Sequence, residues 1–387
     1  MIKVAHLTSV HYRYDTRIFL KMCSSLNRYG FDVALVVADG TGNVEKDGIS
    51  IYDVGTSPNR FLRMFLTTSR VYKQALGLNA DIYHLHDPEL IPIGLKLMKS
   101  GRKVVFDSHE DVPEQIINKP YLFFPVNKII AAAYKLFQKY TCRRFNAIVT
   151  PTTRITNQFQ NINPITVEVR NYPVINEFVT SRDSAENWNS NKVCYIGTLT
   201  LDRGLKELII ALGYLKNEVQ LDLGGIFYEN SFKLELMNMP GWSSVSFHGQ
   251  VGRDEIRTVY KNCIAGLVVL HPKRNYIDAL PVKMFEYMSA SLPVIASDFP
   301  LWKEIIEGNH CGICVNPLDP RAIAEAIDYL AEHPEEAIEM GKRGRQAVEE
   351  KYNWTTEEKK LLQLYADLLR SEERRVGKEC KSRWSPD

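Results

Sequence analysis

The chain lacks the features that identify several classes of protein. Its longest stretch without Asp, Glu, Lys, Arg or His, Ile155–Val167, is shorter than the roughly 20 residues of a membrane-spanning helix and is rich in Asn, Gln and Thr. Lys and Arg total 48 against 46 for Asp and Glu, so the basic excess that broad nucleic-acid binding needs is missing. The first residues show no long apolar core of a secretion signal, which predicts a cytoplasmic protein.

Missing motifs narrow the chemistry further. No Gly-x-Gly-x-x-Gly follows the first predicted strand, which argues against a nicotinamide-dependent dehydrogenase. No Asp-x-Asp occurs, so a metal clamp of that type is not indicated. The seven cysteines lack a disulfide-rich spacing, and the single Cys-x-x-Cys, Cys311 to Cys314, favours buried strand thiols over a zinc or redox site.

The hydrophobic pattern predicts two α/β domains. A length of 387 residues with 45% apolar and 24% charged residues is typical of a globular protein of about two domains. Short β-branched runs alternate with helical patterns, as doubly wound parallel sheets require. The predicted strands are 3–7, 32–37, 49–54, 81–86, 103–107 and 147–150, then 193–197, 219–223, 245–247, 264–270, 294–297 and 312–315.

The loss of this pattern sets the predicted domain boundaries. Residues 1–172 form one Rossmann-like domain and 191–350 a second, with a linker at 173–190 rich in Asn, Ser and charge. A terminal helix follows at 351–370, and 371–387 is a tail expected to be disordered or non-native. Two such domains facing each other form a cleft, where open α/β sheets bind ligands.

A nucleotide is indicated by the stretch "DALPVKMFEYMSASLPVIASD" at 278–298. Pro281 suits the first helical position, so a helix is predicted to begin at Leu280 or Pro281. Lys283 and Glu286 then lie on one side of its first turns. A lysine beside a helix N-terminus suits a phosphate, and a glutamate suits sugar hydroxyls. A surface ion pair is the alternative interpretation.

A second turn has phosphate-binding character. The predicted strand 193–197 ends at Gly197 and Thr198, and the next helix opens with Arg203 and Gly204. Glycine at the first turn of a doubly wound domain lets a phosphate approach the backbone, and arginine can contact two phosphate oxygens. Glycine after a strand is common, so an ordinary turn remains open.

These residues resemble a known family. "YIGTLTLDRGLKELI", "VKMFEYMSASLPVIASDFP" and "GICVNPLDPRAIAEAI" resemble the nucleotide-sugar domain of family-four (group 1) glycosyltransferases of the GT-B fold. "DTRIFLKMCSSLNRYGFDVALV", "YHLHDPELIPIG" and "VVFDSHEDVPEQI" resemble the amino-terminal half of the branch in bacterial polysaccharide and O-antigen synthesis. The resemblance extends to about residue 370 and implies two Rossmann-like domains across a cleft.

The resemblance implies a donor site in the second domain. Glu286 would hold the ribose hydroxyls, Asp278 the transferred sugar, and Arg203 with Lys283 the diphosphate. The sequence departs from the family pattern at Asp278, where glutamate is more common, and at Thr198, where arginine is. The implied donor-binding residues are Gly197, Thr198, Arg203, His248, Gly249, Asp278, Lys283 and Glu286, and the implied catalytic residues are His109, Asp278, Arg203 and Lys283.

The first domain carries further candidates. By the resemblance, His109 lies near the transferred sugar, and Asp15, Arg17 and His86 lie on the acceptor side. A structural hydrogen bond for His109 and a helix cap for Asp15 are the alternatives. Metal-ligating residue types also occur together but form no complete ligand set, so no metal is expected; they are His84, His86, Asp87, Glu89 and His109.

The segment 118–144 mixes aromatic residues with lysines and arginines. Such a segment can lie on an anionic membrane, where lipid-linked acceptors reside. Packing of its apolar face onto the protein's own sheet explains the same pattern and is the favoured interpretation.

The resemblance implies a retaining glycosyltransferase. It would move a hexose from a nucleotide-diphosphate sugar, with uridine favoured by family frequency, to a saccharide or lipid-linked acceptor. No cofactor besides the donor substrate and no nucleic-acid partner are expected. A nucleotide-sugar epimerase of similar fold and a non-catalytic nucleotide-sugar-binding scaffold are the alternatives.

Overall fold

The computed structural model describes residues 1–117, 123–178 and 191–382. The chain forms two compact units, one of residues 1–171 with 357–387 and the other of residues 172–356. Residues 118–122 of the basic segment, most of the predicted linker and the last five residues of the tail lie outside the described residues.

The first unit is built on an eight-stranded sheet in the order β3-β4-β2-β1-β5-β6-β7-β8. Neighbouring strands are parallel except for the antiparallel pair β3 and β4. The strands are β1 (Lys3–Leu7), β2 (Asp32–Val37), β3 (Val44–Lys46), β4 (Ile49–Asp53), β5 (Ile82–Leu85), β6 (Lys103–Asp107), β7 (Ala147–Thr150) and β8 (Thr166–Glu168).

The second unit is built on a six-stranded, wholly parallel sheet in the order β11-β10-β9-β12-β13-β14. Two hydrophobic clusters of buried residues pack around it. Together the two sheets confirm the predicted α/β class. The strands are β9 (Lys192–Ile196), β10 (Gln220–Gly224), β11 (Val245–Gly249), β12 (Ala265–Val268), β13 (Val294–Ser297) and β14 (Gly312–Val315).

Helices fill the connections between strands. A π-helical stretch, Thr16–Cys23, runs directly into α1, and a second, Arg63–Thr67, lies between α2 and α3. The α-helices are α1 (Ser24–Arg28), α2 (Arg60–Leu62), α3 (Thr68–Leu78), α4 (Ile91–Lys99), α5 (Val112–Ile117), α6 (Val126–Cys142), α7 (Thr153–Gln160), α8 (Leu205–Leu212), α9 (Asn230–Met237), α10 (Arg253–Lys261), α11 (Arg274–Ile277), α12 (Val282–Ser289), α13 (Pro300–Ile306), α14 (Pro320–Glu332), α15 (Pro334–Glu350) and α16 (Trp354–Ser382).

The last helix packs within the first unit from residue 357 onward. Its Tyr365 hydroxyl lies 2.7 Å from Nδ1 of His84 on β5, and the Lys103 ammonium donates to the Leu368 carbonyl at 2.8 Å. The helix continues to Ser382, twelve residues beyond the end that the sequence pattern predicts. The sequence after residue 370 is rich in Glu, Arg and Lys, which have good helix propensity. The prediction followed only the spacing of apolar residues and therefore ended the helix too early.

Helix α6 does not pack as the sequence predicts. The favoured interpretation placed its large apolar side chains against the sheet, but its buried residues are small or polar: Ala131, Gln138, Thr141 and Cys142. Ile129 and Leu136 are 63% and 71% exposed. Among the described residues, no helix combines the length and the apolar character that crossing a bilayer requires.

Helix α12 lies unusually close to its sheet. Gly266 on β12 has no side chain, and a Cβ there would lie 2.3 Å from the Tyr287 ring. The helix begins at Val282, just after the predicted start at Leu280 or Pro281, because Pro281 keeps an extended backbone (φ −67°, ψ 124°) and acts as the N-cap. Gly266 therefore fixes the depth of the helix that carries Lys283 and Glu286.

Replacing Gly266 is expected to destabilise the second unit. Gly266→Ala forces the Tyr287 ring to move, and we expect the free energy of unfolding to fall by about 1–3 kcal/mol. Gly77→Ala is the control, because Gly77 lies in helix α3 with no heavy atom near its Cβ position, and it should stabilise by about 0.4–1 kcal/mol. Urea unfolding followed by circular dichroism measures both; an unchanged Gly266→Ala midpoint would contradict the close packing.

Candidate functional site

In the second unit, the turn after β9 meets the Lys283 side chain. Gly197 follows β9 with φ +153°, and a Cβ at this position would lie 2.5 Å from Nζ of Lys283. The ammonium lies over the Tyr195 ring, 3.8 Å from its centroid, and the Tyr195 hydroxyl donates to the Thr198 carbonyl at 2.9 Å. Glycine at 197 therefore leaves the space that the Lys283 ammonium occupies.

Arg203 provides a second cation near Lys283. It ends a 3-10 turn, Leu201–Arg203, and its guanidinium lies 4.9 Å from the Tyr276 ring centroid. Burial, and next the charge of Arg203, hold the pKa of Lys283 well below its usual value. Two mutually repelling cations at a glycine turn form a site that an anion stabilises.

Glu286 lies one turn further along α12. Its side chain is 10% exposed, and its Oε1 accepts a hydrogen bond of 2.8 Å from Arg253 at the start of α10. The Tyr260 hydroxyl donates to Oε2 at 3.4 Å. The charge of Glu286 also raises the pKa of Lys283, although burial and Arg203 outweigh it. Arg203, Lys283 and Glu286 thus form one electrostatic group, and Arg253 is a member of the site that the sequence analysis missed.

The other predicted donor residues lie at the end of a short helix and at the end of β11. Asp278 is the C-cap of the short helix α11. The indole of Trp302 donates to the Ala279 carbonyl at 2.7 Å, which fixes the loop before α12. His248 on β11 pairs with Asp222 at 3.1 Å, and the Gly249 carbonyl accepts from the Gly225 amide at 2.6 Å. The roles assigned to these residues remain predictions.

In the first unit, Asp107 is the anchor at the carboxyl end of β6. Its two oxygens accept hydrogen bonds from Nε and Nη2 of Arg17 at 2.8 and 2.9 Å, and Nη1 of Arg17 donates to the Val169 carbonyl at 2.8 Å. Arg17 is 4% exposed, so its guanidinium orients Asp107 instead of pointing to solvent, where an acceptor would lie. Asp15 caps the π-helical stretch through the Arg17 and Ile18 amides, the cap alternative of the sequence analysis.

Asp107 also holds His109. The Nε2 atom of His109 lies 3.0 Å from Oδ2 of Asp107, and the imidazole is 20% exposed. Burial tends to raise the pKa of Asp107, but the charges of Arg17 and His109 hold it well below its usual range. Asp107 is therefore a fixed anion that orients one partly exposed histidine, which is a common arrangement for moving or sharing a proton.

A stack of three buried histidines lies beside this pair. His6 on β1 is in register with His84 on β5, and His86 follows on the same face. Their ring centroids are 4.7 to 5.1 Å apart, and Nδ1 of His6 lies 2.8 Å from Nε2 of His86. His86 is 1% exposed, and its assignment to the acceptor side stays a prediction. The sequence analysis missed His6, because only strand pairing places it beside the His-x-His of β5.

Metal-ligating side chains do lie close together here. The stack, and also His86 with Asp107 and His109, brings nitrogen and oxygen atoms within 4.8 Å of one another. Within the stack, Nδ1 of His6 and Nε2 of His86 lie at hydrogen-bonding distance from each other, and Asp107 binds Arg17 and His109. The other carboxylates in the sequence-based metal hypothesis bind protein groups: Asp87 accepts from Thr8 and Ser9, and Glu89 from Ser9 and Arg63.

Comparison with known proteins defines the class. The family model described as Glycosyl transferases group 1 matches residues 177–347, and the model described as Glycosyltransferase Family 4 matches residues 16–170. The two matches together cover most of the chain. The chain therefore belongs to the group 1, family 4 glycosyltransferases, as the sequence motifs predict.

Individual relatives are distant. An uncharacterized glycosyltransferase of Methanocaldococcus jannaschii, MJ1607, is 23% identical over 88% of this chain and 90% of its own length. Sucrose-phosphate synthase from Thermosynechococcus elongatus superimposes with a TM-score of 0.78 at 15% identity, over 96% of this chain and 100% of that chain. HepE from Anabaena, solved with UDP and glucose, superimposes with a TM-score of 0.71 at 14% identity, over 95% and 100%. These structures confirm the GT-B fold.

The histidine stack predicts acid sensitivity of the first unit. Burial is the main cause that lowers the pKa of His6, His84 and His86 below the 6.5 of an unfolded histidine. Below that pH the unfolded chain binds more protons than the folded one, so stability falls as pH decreases. We expect the free energy of unfolding to drop from about pH 7 to about pH 5.

Substitution of one histidine isolates this contribution. The free energy of unfolding of His84→Asn should fall less steeply with decreasing pH than that of the wild type, by up to about 1.4 kcal/mol per pH unit. His310→Asn, at an exposed position in the second unit, should follow the wild-type curve. Urea unfolding at a series of pH values measures this; parallel curves for wild type and His84→Asn would show that these histidines are not the cause.

Proposed function

We propose that the chain is a retaining glycosyltransferase that transfers a hexose from a UDP-sugar to a saccharide or lipid-linked saccharide in cell-surface polysaccharide synthesis. The observation that carries this proposal is the group of Arg203, Lys283 and Glu286 at the carboxyl edge of the second sheet. Two cations match a diphosphate, and a carboxylate beside them matches sugar hydroxyls. The UDP and glucose bound to HepE, a protein of the same fold, support a uridine donor.

The proposed chemistry needs stabilisation of a leaving group. Cleavage of a glycosyl phosphate leaves negative charge on the diphosphate, and fixed donors aimed at developing charge are usually the largest catalytic contribution. Arg203 and Lys283 supply this charge, so the reaction needs no metal ion. A bound diphosphate also raises the pKa of Lys283, because it replaces cationic repulsion with attraction.

His109 is the proposed polar contact of the first unit with the transferred sugar. Its ring is held by Asp107 through one nitrogen, which leaves the other nitrogen for a hydroxyl. Asp278 remains the proposed contact of the second unit with the same sugar, with a shorter reach than the glutamate common in the family. The acceptor is proposed to be a glycan, free or on a polyprenyl carrier.

Substitutions in the proposed donor site, the group of Arg203, Lys283 and Glu286, should weaken nucleotide binding. In a thermal-shift panel of UDP, GDP, ADP, CMP and NAD with EDTA present, we expect UDP alone to raise the melting temperature of the wild type. Glu286→Ala and Arg203→Ala should each weaken UDP binding by about tenfold or more, because each removes a charged hydrogen-bonding group.

Two exposed positions of the same unit serve as controls. Glu304→Ala on α13 and Arg343→Ala on α15 remove the same charges elsewhere and should leave the UDP shift unchanged. A UDP shift that survives both Glu286→Ala and Arg203→Ala would refute this donor site. A UDP shift that EDTA abolishes would refute metal independence.

We also propose that α6 rests on an anionic membrane, where a lipid-linked acceptor resides. Large apolar side chains are exposed on and just before this helix: Phe123 72%, Phe124 70%, Ile129 63%, Leu136 71% and Tyr140 54%. Lysines and arginines accompany them, with Lys128 over the Phe124 ring and Arg144 over the Tyr140 ring. Apolar insertion combined with basic residues is the pattern of an interfacial helix.

Vesicle co-sedimentation tests this surface. The wild type should bind vesicles with anionic lipid and bind purely zwitterionic vesicles much less, with binding weakened by salt. Leu136→Glu should reduce binding several-fold, because a carboxylate resists insertion and repels anionic lipid. Leu234 is an exposed residue of α9 in the second unit, and Leu234→Glu should bind the anionic vesicles like the wild type. Equal loss in both variants, or no wild-type binding, would contradict the proposal.

A further inference from the structure

Arg253 contacts two segments that lie far apart in the sequence. Its Nη1 donates to Oε1 of Glu286 at 2.8 Å, and Nη2 forms an ion pair with Glu177. The guanidinium also lies 4.9 Å from the centroid of the Phe178 ring. Glu177 and Phe178 precede the second sheet, whereas Glu286 lies on α12. A single arginine thus connects the carboxylate of the donor group to the segment that leads into this unit.

The carboxylate of Glu286 retains capacity for a ligand. A carboxylate has about four acceptor positions. Arg253 uses one on Oε1, and the Tyr260 hydroxyl uses one on Oε2 at 3.4 Å. Among the residues that the structure describes, two acceptor positions are left, which matches the two vicinal hydroxyls of a ribose. The side chain is 10% exposed, so a ligand reaches it from one side only.

We propose that Arg253 is a positioning residue that sets ribose recognition by aligning the carboxylate of Glu286. The inference rests on the proposed function, in which Glu286 binds the ribose of the donor. Arg253 itself need not touch the nucleotide. A charge-assisted hydrogen bond fixes the carboxylate plane, and the arginine separates two carboxylates that otherwise repel each other. Without Arg253, the carboxylate of Glu286 turns freely and accepts ribose hydroxyls less well.

Binding of UDP and 2′,3′-dideoxy-UDP by calorimetry measures this role. The ratio of the two dissociation constants reports only the contribution of the ribose hydroxyls. In the wild type we expect a ratio of about tenfold or more in favour of UDP, and in Glu286→Ala a ratio near one. Arg253→Ala should lower the ratio at least about threefold while leaving dideoxy-UDP binding nearly unchanged. Arg253→Lys, which keeps the charge, should recover part of it.

Two further variants sharpen the test. Arg257 lies one turn further along α10 and contacts the Glu177 carbonyl and Asp254. Arg257→Ala removes these contacts and none to Glu286, so the ratio of the two dissociation constants should stay at the wild-type value. The double variant Arg253→Ala with Glu286→Ala should show the ratio of Glu286→Ala alone, since Arg253 acts through Glu286.

The outcomes separate this inference from the function it rests on. If Arg253→Ala weakens UDP and dideoxy-UDP equally, or leaves the ratio intact while Glu286→Ala abolishes it, the positioning role is wrong and the donor site stands. If the wild type binds no UDP, or Glu286→Ala leaves the ratio unchanged, the donor site itself is wrong and the inference is refuted with it. Circular dichroism of Arg253→Ala and Arg253→Lys confirms that both are folded.

Discussion

Close backbone packing at the carboxyl edge of the second sheet is the constraint on which the proposed donor site of Arg203, Lys283 and Glu286 depends. A Cβ at Gly204 would lie 1.9 Å from the Val269 carbonyl oxygen, and one at Gly225 would lie 1.8 Å from the Gly197 carbonyl oxygen. At Gly197 itself, a Cβ would lie against the ammonium of Lys283. At Gly204 and Gly225 glycine is required because backbone meets backbone, and all three glycines also have positive φ. The resulting turn presents Arg203 and Lys283 together.

The electrostatics of this group follow from its packing. Lys283 is forced into a partly buried position beside another cation, so its pKa is lowered by burial first and by Arg203 second. The neighbouring Glu286 offsets this only in part. Two neighbouring cations repel each other when no anion is bound, and a diphosphate relieves this repulsion. A pre-formed site of this kind stabilises a negatively charged leaving group.

In the first unit, the central charged group is an anion. Asp107 is fully buried and fixed by Arg17 on one side and by His109 on the other. Burial lowers the pKa of the stacked histidines next to it, which favours their uncharged forms. One fixed anion in the first unit and one cation pair in the second are thus the charged centres that the proposed function uses.

Local sequence signals predicted much of this structure. Strands such as 3–7, 103–107 and 294–297 have the predicted bounds, because buried parallel strands are continuous apolar runs. The edge strands β3 and β8 were missed, since their short, solvent-accessible sequences VEK and TVE carry no such run. The exposed apolar face of α6 was missed for a related reason: a helical period shows that a helix is amphipathic, but not which surface covers its apolar face.

The candidate site was predicted where its residues belong to local motifs. Lys283 and Glu286 share one helix, and Gly197 and Arg203 share one turn, so spacing alone suggested them. Other pairs of the site are far apart in the sequence: 33 positions separate Arg253 from Glu286, and 90 separate Arg17 from Asp107. Strand register brings His6 beside His84 across 78 positions. Local periodicity carries no information about such contacts, which arise only when the chain folds.

A crystal structure of the protein with UDP tests the central claim most directly. The account predicts the ribose within hydrogen-bonding distance of Glu286, with Oε1 of Glu286 still bound by Arg253, and the diphosphate between the turn at Gly197 and the side chains of Arg203 and Lys283. A nucleotide bound elsewhere on the chain, or one whose diphosphate contacts neither cation, would contradict it.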